Sequence, residues 1–237
     1  MIEFDGIEAI TGDFRGALVT IGNFDGVHLS HQHICGKLAA EAKAAGRKSL
    51  VITFDPHPKM ILHPNIRPFY LITTRAEKMA RLAACGVDAV AVIHFDLAYS
   101  KTTAAEFVQE FLCKKLGITK VIIGHDYVFG QARQGNDAYL IEQGRTCGFS
   151  VEVIEAFKVN GEIVSSTLIR NYILAGDMKT AARLMGRFYN VAGPVGTGAG
   201  RGAGLGFPTA NIAPEKDLLP PPGIYAAFVM VDGRRYM

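Results

Sequence analysis

The sequence is short of the features that mark several protein classes. Cysteine is sparse: four residues stand at 35, 85, 113 and 147, and no two form a C-x-x-C pair. The expectation is four small core hydrophobes in a reducing compartment. No apolar stretch approaches the ~18 residues of a membrane span. The opening MIEFDGIEAI is acidic and has neither a basic leader region nor a long apolar run, which excludes a secretory signal. A cytoplasmic location is therefore expected. Charge of one sign is also lacking. Lys+Arg number 25 against 22 Asp+Glu, a net +3, too weak an excess to imply a nucleic-acid or membrane-surface partner.

What is present is ordinary globular material. The 237 residues are 49% hydrophobic and 20% charged, which excludes disorder and collagen-like repeats. At about 150 residues per domain the length suits one large domain or one and a half.

Short apolar runs alternate with helical patterns. The pattern predicts strands over 17–24 (ALVTIGNF), 50–54 (LVITF), 89–95 (AVAVIHF), 120–124 (KVIIG) and 150–157. Between them it predicts helices over 31–45, 75–85, 103–116 and 136–147, then short helices over 169–175 and 178–185. Thr103-x-x-Glu106 reads as a capping box, Asn160-Gly161 as a tight turn, and DPHP after the second strand as a breaker. Alternating strands and helices at this spacing imply parallel strands with right-handed crossovers. The continuous apolar strands suit a sheet buried on both faces. The expected fold is thus a doubly wound parallel α/β sheet over about 1–186. From 187 to 237 glycine, proline and short β-like runs (YNVAGPV, GIYAAFVMV) replace helical periodicity, and an antiparallel β unit is expected there.

In doubly wound sheets, ligands sit at the carboxyl ends of the strands. The first strand runs into Gly22-Asn23-Phe24-Asp25-Gly26-Val27-His28-Leu29-Ser30-His31. Two glycines shape a turn, and two histidines stand at a helix start, where unpaired N–H groups and a partial positive charge favour phosphate. Ser165-Ser166-Thr167 with Arg170 places hydroxyls and a guanidinium at another helix start, a second phosphate site.

The segment GNFDGVHLSH resembles the G-x-F-D-x-x-H-x-G-H signature of the nucleotidylyltransferases in its flavin-specific form. Ser165–Arg170 resembles S-S-T-x-I-R, Phe54–Pro58 resembles T-F-x-P-H-P, and Gly124–Gly130 resembles G-x-D-F-x-F-G. Gly206–Asn211 is similar to the G-F-P-T-A-N motif of riboflavin kinases. Five motifs in order over residues 20–211 identify the chain as a member of the prokaryotic bifunctional riboflavin kinase/FMN adenylyltransferase (FAD synthetase) family.

The resemblance implies a nucleotidylyltransferase domain over 1–186 and part of a riboflavin kinase β-barrel over 187–237. It implies two Mg²⁺-dependent reactions, with ATP, FMN and riboflavin as substrates. It assigns catalysis to His28, His31 and Arg170, and ATP binding to Gly22, Phe24, Asp25, His28, His31, Ser165, Ser166, Thr167 and Arg170. Asp25 is expected to fix the loop or hold a histidine tautomer. Flavin contacts fall to Phe54, Asp126, Phe129 and Arg133; core packing is an equal account of Phe54. Thr209 and Asn211 are expected to hold Mg²⁺ and ATP phosphates in the kinase half. Two departures stand out. Ser30 replaces the signature glycine and adds a Cβ near the nucleotide. The kinase barrel of relatives continues past the position of Met237 and carries its general-base glutamate there, so the kinase half is expected to be incomplete and inactive as given. Two other readings remain at this point: an adenylyltransferase for another phosphorylated acceptor, such as phosphopantetheine or nicotinamide mononucleotide, and a non-catalytic flavin- or nucleotide-binding protein. Oligomeric state is not legible.

Overall fold

The structure is a computed structural model, and it describes all residues but 66–68, 205 and 208. Six parallel strands form the central sheet: β1 (Ile2–Asp5), β2 (Leu18–Ile21), β3 (Ser49–Asp55), β4 (Ala89–His94), β5 (Lys120–Gly124) and β6 (Ser150–Ile154). Their order is β1-β4-β3-β2-β5-β6. The chain steps outward from β2 through β3 to β4, then restarts on the other side of β2 with β5 and β6. That reversal beside β2 is the switch point at which doubly wound sheets open a crevice.

Strand periodicity explains the two-sided core. Val19, Ile21, Leu50, Ile52, Ala91, Val121 and Ile123 face one side, with Phe107, Val108, Leu112 and Leu140. These come from the π-helix over Phe107–Lys115, which continues α4 (Ala104–Glu106), and from α5 (Asp137–Cys147). The alternate residues Leu18, Val51, Val90, Val92 and Ile122 face Ile34, Leu38, Met79 and Leu82, carried by α1 (Leu29–Ala44) and α3 (Arg75–Ala84). A third core joins Ile169, Ile173, Ala181 and Leu184 of α6 (Ser166–Leu174) and α7 (Met178–Met185) to Ile72 and Leu218.

The Thr103–Glu106 capping box forms as expected, with reciprocal bonds of 3.1 and 2.8 Å. Asn160-Gly161 turns a hairpin between β7 (Lys158–Val159) and β8 (Glu162–Ile163). Several expectations need correction. β1 was not expected; only Phe4 of its four residues is buried, too little apolar alternation to register as a strand. The breaker after β3 itself opens a short helix, α2 (Pro58–Leu62), because Pro58 sits in the first turn and the His57 side chain caps it. Helix α1 begins at Leu29 rather than 31, so His28 is its N-cap and His31 lies in its first turn. The cysteines are not all free: Cys113 and Cys147 form a disulfide, because the π-helix and α5 pack side by side and bring their Cα atoms to 5.8 Å. Cys35 and Cys85 are free.

Beyond 187, β9 (Val195–Gly196) pairs with β10 (Asn211–Ile212), and β11 (Val229–Val231) with β12 (Arg234–Tyr236), both antiparallel. A short helix, α8 (Arg201–Gly204), lies between β9 and β10. Antiparallel pairing is as expected. The two pairs are separate two-stranded sheets, and no barrel is closed among the described residues.

Candidate active site

A cleft of about 850 Å³ opens at the carboxyl end of the sheet, near the upper end of the range for ligand pockets. Its wall takes Ile21 and Gly22 from the end of β2, Phe54 from β3, Phe95 after β4, Gly124 and Asp126 after β5, and Ile154 from β6. Parallel strands end at one rim, so motifs far apart in sequence converge there. His28 and His31 share this wall with Ser165, Ser166, Thr167 and Arg170.

The two imidazoles stack with centroids 3.6 Å apart and planes inclined by 19°. Phe24 meets His31 edge-on at 5.1 Å. The Nδ1 atoms of both histidines are sealed from solvent without a hydrogen-bond partner. Burial lowers the His28 pKa to about 4; Asp25 opposes this, while Arg187 and Arg170 reinforce it. Burial also drives His31 well below its ordinary value, and the neighbouring His28 and Lys78 add to it. Both rings are therefore neutral near pH 7, and each offers one N–H donor. The turn that carries them is strained: Phe24 and Val27 have φ of 48° and 37°, unfavourable for non-glycine residues and characteristic of functional loops.

Asp25 does not lie on the cleft wall. Its carboxylate accepts the backbone N–H groups of Ile72 (3.0 and 3.1 Å) and Thr73 (3.2 Å) and pairs with Arg170 at 2.7 Å. Of the roles expected for Asp25, these bonds are those of a residue that fixes the loop, and they also hold Arg170. Arg170 also donates from Nε to the Tyr70 carbonyl at 2.7 Å. Its guanidinium also lies over the Phe69 ring, 4.6 Å from the centroid, at the cleft wall.

Ser165 caps α6 by accepting the Leu168 N–H at 3.2 Å, and Ser166 Oγ donates to the Asp25 carbonyl at 2.8 Å. Ser165 is thus engaged in capping its own helix, and Ser166 in holding the loop. Thr167 is exposed on the wall. Ser30 also lines the cleft, half-buried, beside His31.

On the flavin side, Phe54, Asp126, Phe129 and Arg133 all reach the wall. Phe54 is half-buried and edge-on to Phe95 at 5.8 Å. Phe129 stacks on Tyr127 (5.5 Å, 13°) and packs against Phe107 and Tyr139, so its ring is mostly core and only its rim faces the cleft. Asp126 and Arg133 are exposed. Two residues not picked out from sequence join the site. His57 lines the cleft, its pKa lowered by burial to about 4. Lys78 is buried behind Phe54, whose carbonyl it reaches at 3.3 Å. Only the surrounding motif hinted at His57, and no sequence signal marked Lys78.

Thr209 and Asn211 lie outside this cleft, both exposed. The glycine-rich stretch wraps them. A Cβ on Gly198 would fall 2.0 Å from Asn211 Nδ2, and one on Gly202 would lie 3.1 Å from Thr209 Oγ1. Hydroxyl and amide oxygens are hard donors suited to Mg²⁺. Among the described residues no group of three or more His, Cys, Asp or Glu could hold a metal ion. No helix of the described residues is long and apolar enough to cross a membrane.

A parallel α/β sheet with a phosphate-type turn after its first core strand and a Ser/Arg helix start across the cleft defines a nucleotidyltransferase-like fold. The FAD synthetase family model matches residues 11–168, and the riboflavin kinase model matches 185–237. A bifunctional riboflavin kinase/FMN adenylyltransferase of Pseudomonas fluorescens is 36% identical over 98% of this chain and 74% of its own length. The protein of that description in Escherichia coli K12 is 33% identical over 93% of this chain and 70% of its own. A crystal structure described as a macrolide-efflux protein from Streptococcus pneumoniae superposes with a TM-score of 0.86 at 26% identity, over 99% of this chain and 76% of that one. The chain belongs to the bifunctional riboflavin kinase/FMN adenylyltransferase family.

Proposed function

We propose that residues 1–186 transfer AMP from ATP to FMN, giving FAD and pyrophosphate. The observation that carries this reading is the shared cleft in which His28 and His31 face the α6 start and Arg170. An FMN phosphate oxygen attacks the α-phosphorus of ATP in line, forming one P–O bond. The α–β bridging P–O bond breaks, and pyrophosphate leaves. No covalent enzyme intermediate is required, so catalysis rests on alignment and on donors aimed at developing charge. His28 and His31 donate to phosphate oxygens at the N-terminus of α1, whose unpaired N–H groups favour the same anion. Arg170, aimed by Asp25, supplies fixed positive charge from the opposite wall. Gly22 and Phe24 shape the nucleotide wall, and Thr167 offers its hydroxyl. Phe54, Asp126 and the rim of Phe129 border the flavin space, with Arg133 near the FMN phosphate.

Residues 187–237 belong to the riboflavin kinase half of the family, whose reaction is the phosphorylation of riboflavin to FMN with ATP. Thr209 and Asn211 would hold Mg²⁺ there together with ATP phosphates; when bound, the ion neutralises phosphate charge. The location is the cytoplasm.

Incubation with ATP, Mg²⁺ and FMN is expected to yield FAD and pyrophosphate in equal amounts. Replacing FMN by phosphopantetheine or nicotinamide mononucleotide is expected to yield no pyrophosphate. Binding of FMN without turnover, or equal turnover of another acceptor, sinks the assignment.

A further inference from the structure

The strained turn that presents His28 is gripped from outside the cleft. Arg187 donates from Nη2 to the Gly26 carbonyl at 2.6 Å and from Nη1 to the Val27 carbonyl at 3.2 Å. Val27 is a β-branched residue at φ 37°, and Gly26 sits at φ 86°. Such a backbone persists only where its surroundings over-determine it. The carbonyls of 26 and 27 fix the peptide that leads directly into His28. Gln32 adds a second hold, donating to the Val27 carbonyl at 2.8 Å and to the Met185 carbonyl at 3.0 Å.

The path of the chain allows the grip. Gly186 has φ 70°, and a Cβ there would come within 2.6 Å of Leu29 on α1. The chain passes tight against the start of α1 at this glycine, and the next side chain reaches the turn. Arg187 lies within the stretch matched by the riboflavin kinase model and beyond that matched by the FAD synthetase model. Lys216, further along the same stretch, holds the loop on the other side of Asp25: its Nζ reaches the Ile72 carbonyl at 3.2 Å and Glu77 at 2.8 Å.

We infer that Arg187 is a positioning residue for FMN adenylylation, contributed by the riboflavin kinase-like stretch to the phosphate-binding turn of the preceding unit. This rests on the adenylyltransferase reading. Arg187 is not on the cleft wall and touches no substrate; it acts by holding the 26–27 peptides so that His28 and His31 meet the triphosphate. The planar fork presents two N–H donors at a fixed spacing that matches the two carbonyls, a geometry the point-like lysine ammonium does not reproduce.

The test compares steady-state FAD formation by the wild-type chain, Arg187→Lys and Arg187→Ala, with folding checked by thermal denaturation. A misplaced site loses turnover rather than ground-state binding, so kcat is expected to fall roughly 10- to 100-fold. KM for ATP and for FMN is expected to stay within about twofold of wild type, since turn contacts are lost mainly in the transition state. Guanidinium ion at millimolar concentration is expected to recover part of the kcat of Arg187→Ala and none of that of Arg187→Lys, whose side chain fills the space. Should Arg187→Ala fail to fold, Arg187→Lys decides by the same kcat criterion. Unchanged kcat in a folded variant, or a raised KM at unchanged kcat, overturns the inference while leaving the adenylyltransferase reading standing. Failure of the wild-type chain to make FAD strikes that reading instead.

Discussion

Strand β2 is buried at all four of its positions, whereas β11 exposes all three of its residues, Val229, Met230 and Val231. Both runs are apolar. In the first region the central strands find partners on two faces, and the sheet closes its own core. Beyond 187, among the described residues, only Lys216 and Leu218 are buried, and both are buried against the first region. Leu218 enters the core of α6 and α7, Tyr189 donates its hydroxyl to the Leu218 carbonyl, and Lys216 pairs with Glu77. The second region is thus organised by what it docks upon. The difference teaches that burial, not composition, decides how far a residue shapes the molecule, and the variants below probe that from strongest to weakest.

The strongest effect is expected where a buried charge pair ties the two walls of the cleft. Asp25→Ala removes the acceptor of two backbone N–H groups and leaves the buried Arg170 without its carboxylate partner. Breaking such a pair costs about 3–5 kcal/mol, and urea unfolding should register it. A loss below about 1 kcal/mol would show that Arg170 readily reaches solvent.

Next comes a change that should leave the fold and remove the chemistry. His31→Ala is expected to lower FAD formation by roughly 10²–10³-fold, the scale of losing one donor to developing charge. Circular dichroism should hardly change. Full activity would remove His31 from the transition state.

The sealed imidazoles also set a pH dependence. His28 and His57 each have a folded pKa of about 4, against about 6.5 unfolded. Between these values the unfolded chain binds more protons, so stability is highest above pH 6.5 and falls as pH drops toward 4. From pH 6.5 to 5 the loss is roughly 1.5 kcal/mol per histidine. Urea titrations at several pH values should show this slope, to which His31 adds in the same direction, and His28→Gln should make it shallower. A wild-type slope of zero would mean that water reaches these rings.

Much of this was legible in the sequence because it is local. Post-strand turns placed His28, His31, Ser165 and Arg170 on one rim before any coordinates, since parallel strands share a carboxyl end. Loop fixing by Asp25 was legible, but the partners of Asp25 and Ser166 were not. Asp25 answers to the N–H groups of Ile72 and Thr73, 47 and 48 residues away, and Ser166 to a carbonyl 141 residues away. Backbone partners at that separation leave no pattern in side-chain type. Cys113 and Cys147 read as ordinary core residues because nothing in a 34-residue separation signals that their helices lie side by side. β1 escaped because an edge strand with one buried residue has no periodicity to detect.

The smallest effect separates the two regions most cleanly, because the same substitution is made in each. Ile169 is fully buried in the α6 and α7 core, while Ile224 is fully exposed. Ile→Val removes one methylene without altering backbone preference, so differences in helix or strand propensity nearly cancel. At Ile169 the loss combines transfer free energy and a small cavity, about 0.5–1.5 kcal/mol. At Ile224 the removed methylene already contacts water, and the change is expected to lie within about 0.5 kcal/mol of zero. Denaturant midpoints at constant m-value measure both. Equal losses at the two positions would show that Ile224 is covered in solution, and the contrast between a self-closed first region and a docked second one would then be wrong.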